Sequence, residues 1–175
     1  MGTNKGRTHR FYTGKAVVPF GFGLSYTSFK YSVAAVAPAA GVVKLDRLRE
    51  LVANAASASS AFLSKTTLAA EAPLVSYNVT VTNTGTVDSD DVVLGFVVPP
   101  GAGAGGVPLK ALFGFERIHL KAGETKLVYL YPEMSEFSQV DVKGVRYVLA
   151  GEYTFKFGVK TNGGAGYTEA SVVAV

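Results

Sequence analysis

The chain has 175 residues, 48% of them hydrophobic and 17% charged, no cysteine, and a formal net charge of +4. That length fits one domain, or one domain plus an appendage. It is too short for a complete (β/α)₈ barrel enzyme of roughly 250 residues, and the composition excludes a disordered chain. With no disulfide available, stability has to come from the core. Lys5, Arg7, Arg10 and Lys15 fall in an opening that holds no acid, and beyond it bases and acids balance. The excess charge is therefore a property of the N-terminal arm. No basic stripe interleaved with aromatics exists, so nucleic acid is not an expected partner. No apolar run of about 18 residues is present, so no membrane-spanning helix is expected. The opening MGTNKGRTHR leads into a stretch broken by Lys15 and Pro19, which does not read as a signal peptide.

Residues 1–27 are rich in glycine and aromatics, namely Phe11, Tyr12, Phe20, Phe22 and Tyr26, and keep neither strand nor helix periodicity. They read as an extended, packed linker. Phe29, Tyr31 and Val33 then alternate with Lys30 and Ser32, predicting a strand over 28–36. Leu45, Leu48, Leu51 and Val52 recur at helical spacing among charges, predicting a helix over 44–56 that lies on the domain as an appendage. A low-complexity connection follows, and residues 38–72 together read as an insertion.

From Pro73 onward the pattern is β. Tyr77, Val79 and Val81 alternate with Asn78, Thr80 and Thr82, and Asn83-Thr84-Gly85 marks a turn. Val92–Val98 is a continuous apolar run, stopped by two prolines and the loop Gly101–Gly106. Strands follow over Leu109–Leu120 and Leu127–Tyr131, then a hairpin about Lys143-Gly144, then Tyr153–Phe157, with Ser171–Val175 as the closing strand. Short strands with regular turn signals predict an all-β, immunoglobulin-like antiparallel sandwich. The expected core is Tyr77, Val79, Val81, Val93, Phe96, Leu127, Tyr129, Tyr153, Phe155 and Phe157.

Signals for chemistry are weak. The glycine loop 101–106 lacks the preceding strand-to-helix context of a phosphate cradle. Asp88, Asp90 and Asp91 form the one acidic cluster, without calcium-loop spacing, and read as a solvated turn and strand edge. His9 and His119 lie far apart with no cysteine, so no metal site is expected. No Gly-x-Ser-x-Gly elbow occurs, and nothing identifies a carboxylate pair for glycoside hydrolysis. No catalytic residue and no cofactor are assigned. Asn78-Val79-Thr80 is an N-glycosylation sequon with meaning only in a secretory compartment, and its parity places Asn78 outward.

Three segments together carry a family resemblance. They are Gly6–Ser32 with Pro19-Phe20-Gly21-Phe22-Gly23-Leu24-Ser25-Tyr26-Thr27, Val79–Pro100, and Pro108–Pro132 with Leu112-Phe113-Gly114-Phe115-Glu116-Arg117 and Leu120-Lys121-Ala122-Gly123-Glu124. In this order they resemble the C-terminal end of glycoside hydrolase family 3 enzymes, most closely the β-xylosidase and α-arabinofuranosidase branch. The glycine usual in that family before the strand at Val92 is missing from TVDSDDVV, and the 38–72 insertion is longer than is common.

The resemblance implies a fibronectin type III-like sandwich over 28–175, preceded by an interdomain linker over 1–27. It places the nucleophilic aspartate in a barrel domain and the acid/base in an α/β-sandwich domain, neither of which these residues match. A noncatalytic module is therefore expected, with the barrel and α/β-sandwich domains as its partners. Phe11, Tyr12, Phe20, Phe22 and Tyr26 would pack against them, and without them the segment would self-associate. The resemblance also implies a secretory or extracellular setting. The alternative expectation is a freestanding immunoglobulin-like module that binds protein or glycan.

Overall fold

The strands lie where alternating β-branched and aromatic residues run between glycine, proline and asparagine turns. In the computed structural model, which describes residues 5–37, 41–58, 73–158 and 167–175, they form two facing sheets and a small ribbon. The first sheet holds β1 (Phe29–Ala37), β3 (Ser76–Asn83) and β6 (Thr125–Leu130), with β3 central. The second runs in the order β2 (Val42–Val43), β10 (Thr168–Ala174), β9 (Gly151–Phe157), β4 (Ser89–Val98), β5 (Ala111–Leu120). A ribbon of β7 (Ser138–Val140) and β8 (Arg146–Val148) forms the expected hairpin. Apart from β2, which runs parallel to β10, the pairings are antiparallel. The chain crosses between the sheets after β1, β2, β3 and β5, and again after β6 by way of the ribbon, giving the expected immunoglobulin-like sandwich.

The inward rows of β3 and β9 meet as their alternation predicts. The Tyr77 ring centroid lies 5.0 Å from that of Phe155 and 5.2 Å from that of Phe157. Val79, Val81, Val93 and Val97 complete the layer, all without solvent contact or nearly so. Gly95 faces the same interior, where an added Cβ would lie 2.6 Å from the Phe113 ring. The β4–β5 register shifts beside it, and the bulge carries that ring onto Phe155 and Phe157.

Three core assignments are corrected. Leu127 and Tyr129 point outward, 61% and 48% exposed, while Val128 and Leu130 are buried. Both parities of Thr125–Tyr131 carry large apolar side chains, so alternation alone leaves the face open. The register decides it. Val79 opposes Val128 and Tyr77 opposes Leu130, and directly opposed residues share a face. Phe96 is fully buried, but on the other side of its sheet, outside the inter-sheet core. The run Val92–Val98 is apolar on both parities because β4 is covered on both faces.

The predicted helix is α2 (Leu45–Ala58), and the appendage reading is also corrected. Leu45, Leu48 and Val52 belong to the main core cluster, joined there by Phe137 and Val148. Leu45 N–H donates to the Val175 carbonyl at 2.6 Å, tying the helix start to the last strand. A helix this short gains most of its stability from such docking. The predicted low-complexity connection lies largely outside the described residues.

Candidate docking surface

The N-terminal segment is fixed to the sandwich at both ends. Near its start a single helical turn, α1 (Thr8–Phe11), presents His9 to the outer face of the five-stranded sheet. The imidazole stacks on Phe20 at 4.2 Å between centroids and meets the edge of Phe96 at 5.9 Å. Leu109 N–H donates to the Arg10 carbonyl at 2.6 Å. Lys110 Nζ lies over Phe96 at 4.3 Å and over Tyr167 at 4.7 Å, and it donates to the Tyr167 hydroxyl. His9 Nε2 is closed to solvent with no hydrogen-bond partner among the described residues. Desolvation first, and then the charges of Lys110 and Arg10, hold its pKa below the usual histidine value.

At the other end Thr27 Oγ1 donates to Asn83 Oδ1 at 2.6 Å. Asn83 is fully buried. Its Nδ2 donates to the carbonyls of Val87 (2.8 Å) and Leu120 (3.3 Å), and its Oδ1 also accepts from Gly85 N–H (3.1 Å). One side chain thus joins the N-terminal segment, the β3–β4 turn and the end of β5. An added Cβ at Gly85 would fall 2.2 Å from Thr27 Oγ1, so the approach of Thr27 depends on that glycine. Sequence reasoning identifies Asn83 only as a turn residue. Its place at the head of an Asn-Thr-Gly turn is the available signal.

Between these anchors the apolar side chains face solvent. Phe11, Tyr12, Phe20 and Phe22 are exposed by 38–46%, Tyr26 by 97%, and Val17 and Leu24 by more than 90%. None of them enters the inter-sheet core. Phe20 is partly engaged by His9 and Phe96, and the others remain exposed.

The remaining candidate residues fall elsewhere. Asp88 accepts from Ala122 N–H at 2.8 Å, and Asp91 accepts from the Tyr31 hydroxyl across the two sheets. Asp90 accepts from Arg117 Nε at 3.1 Å and pairs with His119 Nδ1 at 2.7 Å. These partners hold the Asp90 carboxyl below its usual range, His119 contributing most. The acidic cluster is thus used up in structural contacts, with Asp88 and Asp90 exposed and Asp91 half-buried. Among the described residues no group of three or more histidines and acids could hold a metal ion. The loop Gly101–Gly106 closes on its own backbone, Gly103 N–H donating to the Val107 carbonyl, and leads into a strand. A cleft of about 500 Å³ beside Arg10 holds one carboxylate, Glu136, with Arg146 on the same wall. Burial pushes the Glu136 pKa up, opposed by Arg10. A single carboxylate between guanidinium groups does not form the acid/base pair of glycoside hydrolysis. Asn78 lies half-buried on the outer face of β3.

Residues 91–160 match the fibronectin type III-like domain family. The chain carries a fibronectin type III-like domain. Over 90% of its length it is 35% identical to β-D-xylosidase 1 of Arabidopsis thaliana, covering 20% of that protein. Over 86% it is 38% identical to an exo-1,4-β-xylosidase of Emericella nidulans, covering 18%. Among solved structures, the GH3 β-glucosidase of Bifidobacterium adolescentis matches 89% of the chain with a TM-score of 0.60 and 27% identity, over 18% of its own length. A β-glucosidase from Erythrobacter marinus shares the fold, with a TM-score of 0.65 at 23% identity, over 98% of this chain and 19% of its own. The fibronectin type III-like module thus spans about one fifth of the curated relatives it matches, in their C-terminal region.

Proposed function

We propose that this module is the noncatalytic C-terminal brace of a family 3 glycoside hydrolase of the β-xylosidase or β-glucosidase kind. In this reading residues 1–27 are an interdomain linker and residues 28–175 the sandwich. Phe11, Tyr12, Phe20, Phe22 and Tyr26 seat against the α/β-sandwich and barrel domains. The observation that carries the reading is the apolar segment held at both ends yet exposed between them. A segment anchored through His9 and Thr27 is pre-organised, so its ordering is largely complete before a partner arrives. The reading carries with it the secretory or extracellular setting that the family resemblance implies.

The test is binding in trans. The chain and a separately expressed α/β domain of a family 3 enzyme are mixed and followed by light scattering and calorimetry. A one-to-one complex is expected, weakened at least tenfold by a joint Phe22→Ser and Tyr26→Ser change. Without the partner, the chain is expected to self-associate. A chain that is monomeric at high concentration and ignores that domain overturns the proposal in favour of a freestanding module.

A further inference from the structure

A second apolar row lies away from the N-terminal segment, on the outer face of the three-stranded sheet. Leu127, Tyr129 and Tyr131 are exposed by 61%, 48% and 49%. The two tyrosine rings lie 5.8 Å apart. The row runs along β6, an edge strand, where exposed apolar side chains invite pairing with another chain.

What covers the row is written in the neighbouring strand. Asn78-Val79-Thr80 is the chain's one N-x-Ser/Thr sequon. Val79 has no solvent contact, and strand alternation then turns Asn78 and Thr80 to the outer face. In the β3–β6 register Asn78 stands opposite Tyr129 and Thr80 opposite Leu127. Directly opposed side chains begin about 4.5–5.5 Å apart at Cβ. On the other flank β1 sets small residues beside the sequon, Ala34 opposite Asn78 and Ser32 opposite Thr80. Asn78 thus stands on a shelf, low on the β1 side and aromatic on the β6 side.

We propose that Asn78 carries an N-linked glycan whose first sugar lies on Tyr129 and shields the Leu127–Tyr131 row. The inference rests on the secretory reading above. In the attachment step Asn78 Nδ2 attacks C1 of the reducing-end N-acetylglucosamine of a polyprenyl-pyrophosphate oligosaccharide. The N–C1 bond forms, the C1–O bond to pyrophosphate breaks, one amide proton leaves to solvent, and the polyprenyl pyrophosphate departs. Thr80 supplies the hydroxyl that makes the asparagine an acceptor. In the folded protein the C–H face of the pyranose meets the electron-rich face of the Tyr129 ring, and burial of the two apolar surfaces stabilises the native state.

The experiment expresses the full chain behind a heterologous secretory leader in a eukaryotic host, so that routing is supplied and only the acceptor and its shelf are tested. Intact mass should show an N-glycan that peptide-N-glycosidase F releases. It should be absent from Asn78→Gln and Thr80→Ala and retained in Thr80→Ser. The glycosylated chain should melt about 2–4 °C above Thr80→Ala, the shift expected for roughly 1 kcal/mol in a domain this size. That difference should vanish when Tyr129→Ala is present in both. A folded, secreted chain unmodified at Asn78 overturns the proposal, and so does a modified chain whose gain in Tm is indifferent to Tyr129. If the led chain is modified but protein from its natural source is not, the acceptor assignment stands and the secretory reading fails.

Discussion

Buried tyrosines show how much depends on a single partner. The Tyr153 hydroxyl donates toward the carbonyls of Phe137 (3.1 Å) and Leu149 (2.9 Å), the latter four residues upstream. This is the tyrosine-corner arrangement of immunoglobulin-like sandwiches, and burial pushes the phenol pKa up to about 12. The Tyr77 hydroxyl is equally deep but has no hydrogen-bond partner among the described residues. Removing a bonded hydroxyl costs about 1–3 kcal/mol because the carbonyls lose their partner, whereas removing an unbonded one relieves a desolvation penalty. Tyr153→Phe should therefore lower stability by about 1–3 kcal/mol, while Tyr77→Phe should leave it unchanged or raise it. Urea titrations of the two variants check the contrast. His9 supplies a pH dependence. Its pKa is lowered in the folded state, so a detached segment binds the extra proton more readily. Docking of residues 8–20 is therefore complete above the ordinary histidine pKa near 6.5 and weakens as pH falls below it. The charges facing the ring, Arg10 from its own segment and Lys110 from the sheet, act in the same direction. Hydrogen exchange of the segment between pH 5 and 8 should show protection that rises with pH, and His9→Phe should flatten the profile.

The elements differ in how far their patterns specify them. Strands β3 and β9 alternate strictly, so the pattern itself tells their two faces apart. β6 carries apolar residues on both parities, and only its pairing with β3 selects Val128 and Leu130 as interior. Leu130→Ala should accordingly cost about 2–5 kcal/mol, and Leu127→Ala under about 0.5 kcal/mol. Chemical denaturation of both variants checks this. Helix α2 is visible from its spacing, but its rank is not. Leu48 has no solvent contact and lies in the same cluster as Tyr77 and Phe155. Leu48→Ala should cost about 2–5 kcal/mol and shift one cooperative transition. If the helix instead melts separately, seen as a first far-ultraviolet phase with the tyrosine signal unchanged, its place in the core is refuted.

The whole molecule is a sandwich whose two outer faces differ, one covered by the N-terminal segment and the other exposing Leu127, Tyr129 and Tyr131. The N-terminal segment covers the five-stranded sheet at Phe96, where Phe20 also reaches the ring at 6.1 Å. Deleting residues 1–26 therefore does more than remove exposed aromatics, because it uncovers a fully buried phenylalanine. The truncated chain should keep its β spectrum and melt several degrees lower, about 2–4 °C for each kcal/mol lost. Scanning calorimetry measures it, and an unchanged Tm would mean the segment is not docked in solution. Fold class, the succession of the main strands along the chain and the resemblance to the C-terminal end of family 3 enzymes can all be read from the chain, because alternation, turn residues and motif order are local properties. The aromatic N-terminal segment can be located in the same way, as can the sequon. Which face of β6 is interior, which side of its sheet Phe96 occupies, and how Asn83 gathers three segments cannot be read there. Each depends on residues far apart in the chain, and side chains of equal hydrophobicity acquire different roles only when a register and a second layer place them.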